Sequence, residues 1–219
     1  MIIAGRVWAA LTVAAAAAGV LIELLLVITG TWSVTADSPA PLGIRLWRFV
    51  SYFTVQSNLL VIVTVLPLIA RPRHDGPRWR VLRLDGVIMI TVTGVVNWLL
   101  LRGLVELGGW SAVGDVLVHL VAPASALIGW LVFGPRPRIT PAVIGWSLVW
   151  PIGWLVYTLT VGTLTGWYPY PFLDVGELGA GRVALTCGAL AVLFLGLATC
   201  CWRLERAMPL SEGPATIDP

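Results

Sequence analysis

Six apolar runs, each close to the length that crosses a bilayer, take up nearly the whole chain and leave little of it for anything else. Crossing a hydrocarbon core takes about 20 apolar helical residues. The runs place helices at roughly Arg6–Gly30, Leu46–Ala70, Leu84–Arg102, Ala112–Phe133, Pro141–Gly162 and Gly181–Trp202. A mean hydropathy of +0.90, with 11% charged residues in 219, makes lipid the main solvent and excludes a separate aqueous domain. The expected fold is all-α: a compact, polytopic six-helix bundle over 1–208, multi-pass in the cell membrane. A disordered cytoplasmic tail over 209–219 is expected to follow it. Apolar character continues from Val7 through Ile28, too long for a cleaved secretory signal, so the first run is read as a retained helix.

The arginines set the topology. All fourteen basic residues are arginine and sit at helix ends, so the net charge of +3 does not point to nucleic acid. Arg71, Arg73, Arg78, Arg80 and Arg83 crowd the second connection and Arg136 and Arg138 mark the fourth, whereas Glu106, Asp115, Asp174 and Glu177 lie in or beside the third and fifth. With Arg6, Arg203 and Arg206 on the same side, ten of the fourteen fall on one face, and the positive-inside rule then predicts that both termini are cytoplasmic. Trp47, Trp98, Trp110, Trp167 and Tyr168 gather near the opposite boundary, as interfacial aromatics do. Arg71-Pro72-Arg73 ends the second run and Arg136-Pro137-Arg138 follows the fourth. Thr54 and His119 each lie 17 residues before the first arginine of their stop, which predicts a common depth on two parallel helices.

That depth holds a polar layer. At about 1.5 Å per residue, Thr54 and His119 fall roughly 10–12 Å below the outer helix ends, and Glu23, Asn97 and Tyr157 roughly 7–10 Å. Polar groups inside a span are costly and usually face a bundle interior or wet cavity, which makes each a candidate for function. Asn58 shares a face with Thr54 at i and i+4. Asp115 stands one turn above His119, where a carboxylate can fix the imidazole tautomer and raise its basicity. Nucleophile, base and orienter are the parts of an activated hydroxyl. The competing reading is interhelical hydrogen-bond glue, worth about 0.6–2 kcal/mol per contact. The inner halves of the helices read as almost purely apolar.

Other chemistry is thin. Cys187, Cys200 and Cys201 lie in the last run with neither metal-ligand spacing nor a disulfide framework, and are read as packing residues. There is no Walker loop, GxSxG elbow, HExxH or CxxC. No metal or cofactor is expected, and nothing points to a particular protein partner.

Phe53-Thr54 followed by Asn58, His119 with Pro123, and Trp167-Tyr168-Pro169-Tyr170-Pro171-Phe172-Leu173 before the last helix resemble the androgen-induced-protein family. The similarity spans most of the chain, and the arginine-only, alanine-rich composition is similar to that of actinobacterial six-helix membrane proteins. The resemblance implies a six-helix hydrolase of fatty acid esters of hydroxy fatty acids, with Thr54 as intramembrane nucleophile and His119 as its partner. Val55-Gln56-Ser57 and the residues just before His119 depart from the family pattern. The leading expectation is therefore a lipid esterase with lipid as solvent and substrate, and Asn58, Asn97 or Tyr157 as oxyanion donor. The alternatives are a non-enzymatic lipid- or small-molecule-binding protein, a proton-linked carrier using Glu23 and His119, and a scaffold whose polar layer fixes helix register.

Overall fold

A computed structural model describes residues 2–32 and 40–209, which are helices and short connections with no strand among them. Six helices are long and apolar enough to cross a membrane: Ile2–Thr29, Phe53–Ala70, Pro77–Leu101, Gly109–Phe133, Pro141–Thr165 and Ala180–Ala207. They are called the first to sixth helices below. Apart from Pro209, the expected tail over 209–219 lies outside the described residues.

The second and third helices are the most enclosed, and the first and fourth pack around them. The fifth and sixth cover the third from the other side and turn large apolar residues outward, among them Leu185 and Val192. Lipid on that surface removes the penalty water would impose. Small residues let the helices approach. A Cβ at Gly19 would lie 2.6 Å from Val118 Cγ1, and one at Gly94 would lie 3.1 Å from the His119 carbonyl oxygen. Such close approach replaces the hydrophobic drive that lipid does not supply.

Two helix starts differ most from the sequence expectation. The second helix does not run unbroken from Leu46. A separate helix, Leu42–Ser51, ends at Tyr52, whose backbone is extended at φ −67°, ψ 131°, and the long helix starts anew at Phe53. No glycine or proline marks this break. The Tyr52 ring, packed edge-on against Trp32, Trp167 and Tyr170, holds it. The third helix starts at Pro77, after Gly76, rather than at Leu84. Proline at the first helical position loses no hydrogen bond and has its φ preset for the helix.

The earlier start brings Arg83 and Asp85 inside the bundle, with 6% and 1% of their surfaces exposed. The half of the bundle nearer the arginine-rich connections is therefore not purely apolar, contrary to the sequence reading. At that end, arginines cap helix C-termini: Arg6 donates to the carbonyls of Ile69 and Ala70 at 2.7 Å each, and Arg136 to those of Trp130 and Leu131. A cation placed there satisfies orphan carbonyls and the negative end of the helix dipole. Asp75 accepts from Arg80 at 2.7 and 2.6 Å and lies 3.3 Å from Arg138, tying the second connection to the fourth. The Arg80 hydrogen bonds dominate in holding the Asp75 carboxyl down at about 2. Between this end and the other lies a mostly apolar buried layer that includes Leu60, Val61, Val65, Ile88, Met89 and Ile90.

Candidate active site

Thr54 is the second residue of the second helix, so it stands at a helix N-terminus rather than partway down a helix as the sequence reading had it. The backbone N–H groups of a first helical turn have no partner within the helix, and that end of the helix is electropositive. The Tyr52 carbonyl accepts from Val55 and Gln56. Of the N–H groups left over, that of Thr54 donates to the Tyr170 hydroxyl oxygen at 3.3 Å. Tyr170 Oη also lies 3.3 Å from Thr54 Oγ1. Burial pushes the Tyr170 phenol up, so it stays protonated at neutral pH and keeps its O–H as a donor.

The connection between the fifth and sixth helices carries Tyr170, and aromatic packing fixes it over the break. Trp167 packs on Trp47 and Tyr52, while Tyr170 packs on Tyr52, Trp154 and Phe172. The fifth helix fastens the break from the side, with the Trp154 indole donating to the Ser51 carbonyl at 2.9 Å and that of Trp150 to the Gln56 side chain at 3.1 Å.

His119 sits in a π-helical turn, Leu117–Val121, within the fourth helix. Its neighbour four residues on, Pro123, has no N–H, and its ring would crowd the His119 carbonyl. The helix widens instead, and the Ala122 N–H bonds five residues back to Leu117. Widened turns of this kind recur at functional sites. His119 Nε2 lies 3.2 Å from Thr54 Oγ1, and His119 Nδ1 lies 2.7 Å from Asp115 Oδ1. A carboxylate accepts only, so Nδ1 carries the proton and the Nε2 lone pair faces the threonine hydroxyl. Asp115, His119 and Thr54 thus form one hydrogen-bonded chain.

This chain borders a cavity of about 810 Å³, within the roughly 300–1,000 Å³ of small-molecule pockets. Its wall is mostly apolar and includes Trp98, Leu99, Leu104 and Leu120, all of which are also exposed on the outer surface. The third and fourth helices make no extended contact between Asn97–Leu101 and Gly109–Val116, so the cavity opens sideways toward the lipid-facing surface.

The remaining sequence candidates divide. Glu23 and Asn97 line the cavity. Glu23 pairs with neither His119 nor Arg102. It packs against Gly114, where any Cβ would collide with Oε1, and hydrogen-bonds Trp32. Asn97 begins a second π-helical turn, Asn97–Leu101. Asn58 does not face the cavity: it is fully buried and donates to the carbonyls of Thr54 at 2.8 Å and Val118 at 3.3 Å, joining the second helix to the fourth. Tyr157 lies outside the cavity, its hydroxyl 2.7 Å from Ser51 Oγ. Neither is placed to meet an oxyanion. Tyr170 is the polar group that the sequence reading left without a role. Among the described residues, no cluster of three His, Cys, Asp or Glu side chains could hold a metal ion.

These features define an all-helical protein with six helices long and apolar enough to cross a membrane, and a Thr–His–Asp chain at the wall of a laterally open cavity. No protein-family model, curated protein or solved structure matches it.

Proposed function

We propose that this chain is an intramembrane carboxylic-ester hydrolase acting on fatty-acid esters, as its resemblance to the androgen-induced-protein family implies. The observation that carries the reading is the continuous Asp115–His119–Thr54 hydrogen-bond chain beside an apolar cavity. Hydrogen-bond glue does not need the orienting carboxylate, nor a cavity beside the hydroxyl.

In the proposed reaction Thr54 Oγ1 attacks the ester carbonyl carbon while His119 Nε2 takes its proton, and the Asp115 carboxylate stabilises the imidazolium. The carbonyl oxygen gains the negative charge. The Tyr170 O–H, aimed at Thr54 Oγ1 and relieved of any need to accept further bonds, donates to that oxyanion beside the positive end of the second helix. Collapse expels the alcohol, which takes the proton from His119 and leaves an acyl-Thr54 ester. Water then attacks that ester and gives its proton to His119. Collapse releases the acid and returns a proton to Thr54.

With both termini cytoplasmic, as the arginine distribution argues, the cavity lies in the outer half of the membrane, and its sideways opening suits a substrate arriving from lipid. A proton-linked carrier needs a polar path to the other face, and the layer around Val61 and Ile90 argues against one. The test is turnover of a long-chain fatty acid ester of a hydroxy fatty acid by detergent-purified protein. Thr54→Ala and His119→Ala should each lower kcat by about 10³-fold or more. Full activity in Thr54→Ala removes the nucleophile. Equal binding of the ester by wild type and variant, with hydrolysis by neither, identifies a lipid-binding protein instead.

A further inference from the structure

The opposite half of the bundle contains a second cavity, of about 460 Å³, bounded by the first four helices and the turns that follow the second and fourth. Its polar wall is dominated by arginine: Arg73, Arg83 and Arg136 line it, and among the described residues no aspartate or glutamate does. Arg83 is more than nine-tenths buried, and its Nε and Nη1 have no hydrogen-bond partner. No carboxylate among the described residues lies within 4.0 Å of it. Arg136 also lines the wall and donates to the carbonyls of Gly134, Trp130 and Leu131 and to Met208. Arg73 is exposed at the rim.

A buried guanidinium without a counter-ion is costly, and folded proteins pair such charges or expose them. Here the missing half of the pair is an anion. Guanidinium forks match the oxygens of phosphate, and three positive charges around one recess suit a phosphate better than a single weak acceptor. The level of the cavity, beside the arginine-rich connections, is that of the membrane headgroups. Phe133, Val132 and Leu68 give the same cavity an apolar side that suits the first carbons of an acyl chain.

We infer that this cavity binds a phosphate-bearing anion, with Arg83 as the buried contact and Arg73 closing the rim. The site is independent of the proposed hydrolase reaction, from which the apolar middle layer separates it. The shared chemistry has two sources, the headgroup of an anionic phospholipid and free phosphate, and one experiment distinguishes them.

Delipidated protein in neutral detergent is titrated with phosphatidylglycerol, with phosphatidylcholine, or with inorganic phosphate against chloride at constant ionic strength, and the Tm is followed. A ligand present at a hundredfold over its Kd should raise the Tm by about 5–10 °C. A rise with phosphatidylglycerol alone identifies the lipid, and an equal rise with inorganic phosphate identifies the free anion. Arg83→Met should abolish the rise. Arg73→Gln, at an exposed position, should reduce it and covers the case in which the buried variant fails to fold. A rise unchanged in both variants, or no rise with either phosphate source, overturns the inference. Loss of stability on removing residues 210–219, with no response to phosphate, also overturns it and assigns the recess to the chain's own Glu212 or Asp218.

Discussion

Tyr170→Phe removes a single oxygen and leaves the ring packing on Tyr52, Trp154 and Phe172 in place. That oxygen accepts the N–H group of Thr54, which has no partner in the first turn of the second helix. Leaving a buried donor unmade costs about 1–3 kcal/mol, and a 3.3 Å bond belongs at the lower end of that range. One such donor makes about 1 kcal/mol, which in a chain of this length lowers the Tm by about 2–4 °C. The kinetic effect is separate, because a fold that survives keeps its active-site population. Loss of one oxyanion donor should cut kcat by about 10²–10³ while KM stays within a few-fold. Because burial raises the phenol above its ordinary value, wild-type activity should show no fall attributable to Tyr170 as the pH rises through the neutral range. The assay is ester hydrolysis by the purified variant alongside a thermal melt. If kcat stays within threefold of wild type while the Tm falls, Tyr170 only caps the helix and the oxyanion argument is wrong.

Asp115→Asn should lower kcat by about 10²–10⁴ with little change in KM, because the amide can hold His119 in the wrong tautomer; wild-type turnover in this variant would refute the orienting role. Gly94→Ala puts a methyl 3.1 Å from the His119 carbonyl and 3.2 Å from Pro123 Cβ, so it should shift the π-helical turn and reduce kcat about tenfold. An unchanged kcat would show that the turn tolerates the shift. Asp75 has a folded pKa of about 2 against 3.8 for the free side chain, so the unfolded chain takes up its proton first. Its stabilisation is present above about pH 4 and is lost as the pH falls toward 2. The pair is partly exposed, so the difference in unfolding free energy between wild type and Asp75→Asn should be small, under about 1 kcal/mol. It should disappear over that interval, and a difference that persists at pH 2 contradicts the assignment.

The six spans were legible because hydropathy depends on composition alone and hardly on packing. The pairing of Thr54 with His119 could be sought by counting from the two Arg-Pro-Arg stops, and the Asp115–His119 contact by i,i+4 spacing. The break at Tyr52 was not legible, since the rings of Trp32, Trp167 and Tyr170 that hold it come from distant segments and the local sequence has no breaker. For the same reason Tyr170 went unassigned: a loop residue reaches a site only through the fold. Asn58 and Tyr157 lie near the expected level but face neighbouring helices, and side-chain direction around a membrane helix depends on those neighbours. Arg83 falls in a connection when the third helix is started at Leu84. Gly76-Pro77, an N-terminal signal present in the sequence, marks the true start.

The most direct test of the central claim is covalent. The purified protein is treated with a fluorophosphonate that carries a long alkyl chain, digested, and the modified residue located by mass spectrometry. The account predicts one adduct, on the Thr54 hydroxyl, lost in Thr54→Ala and strongly slowed in His119→Ala. An adduct on another residue, or labelling that continues unchanged in Thr54→Ala, would contradict it.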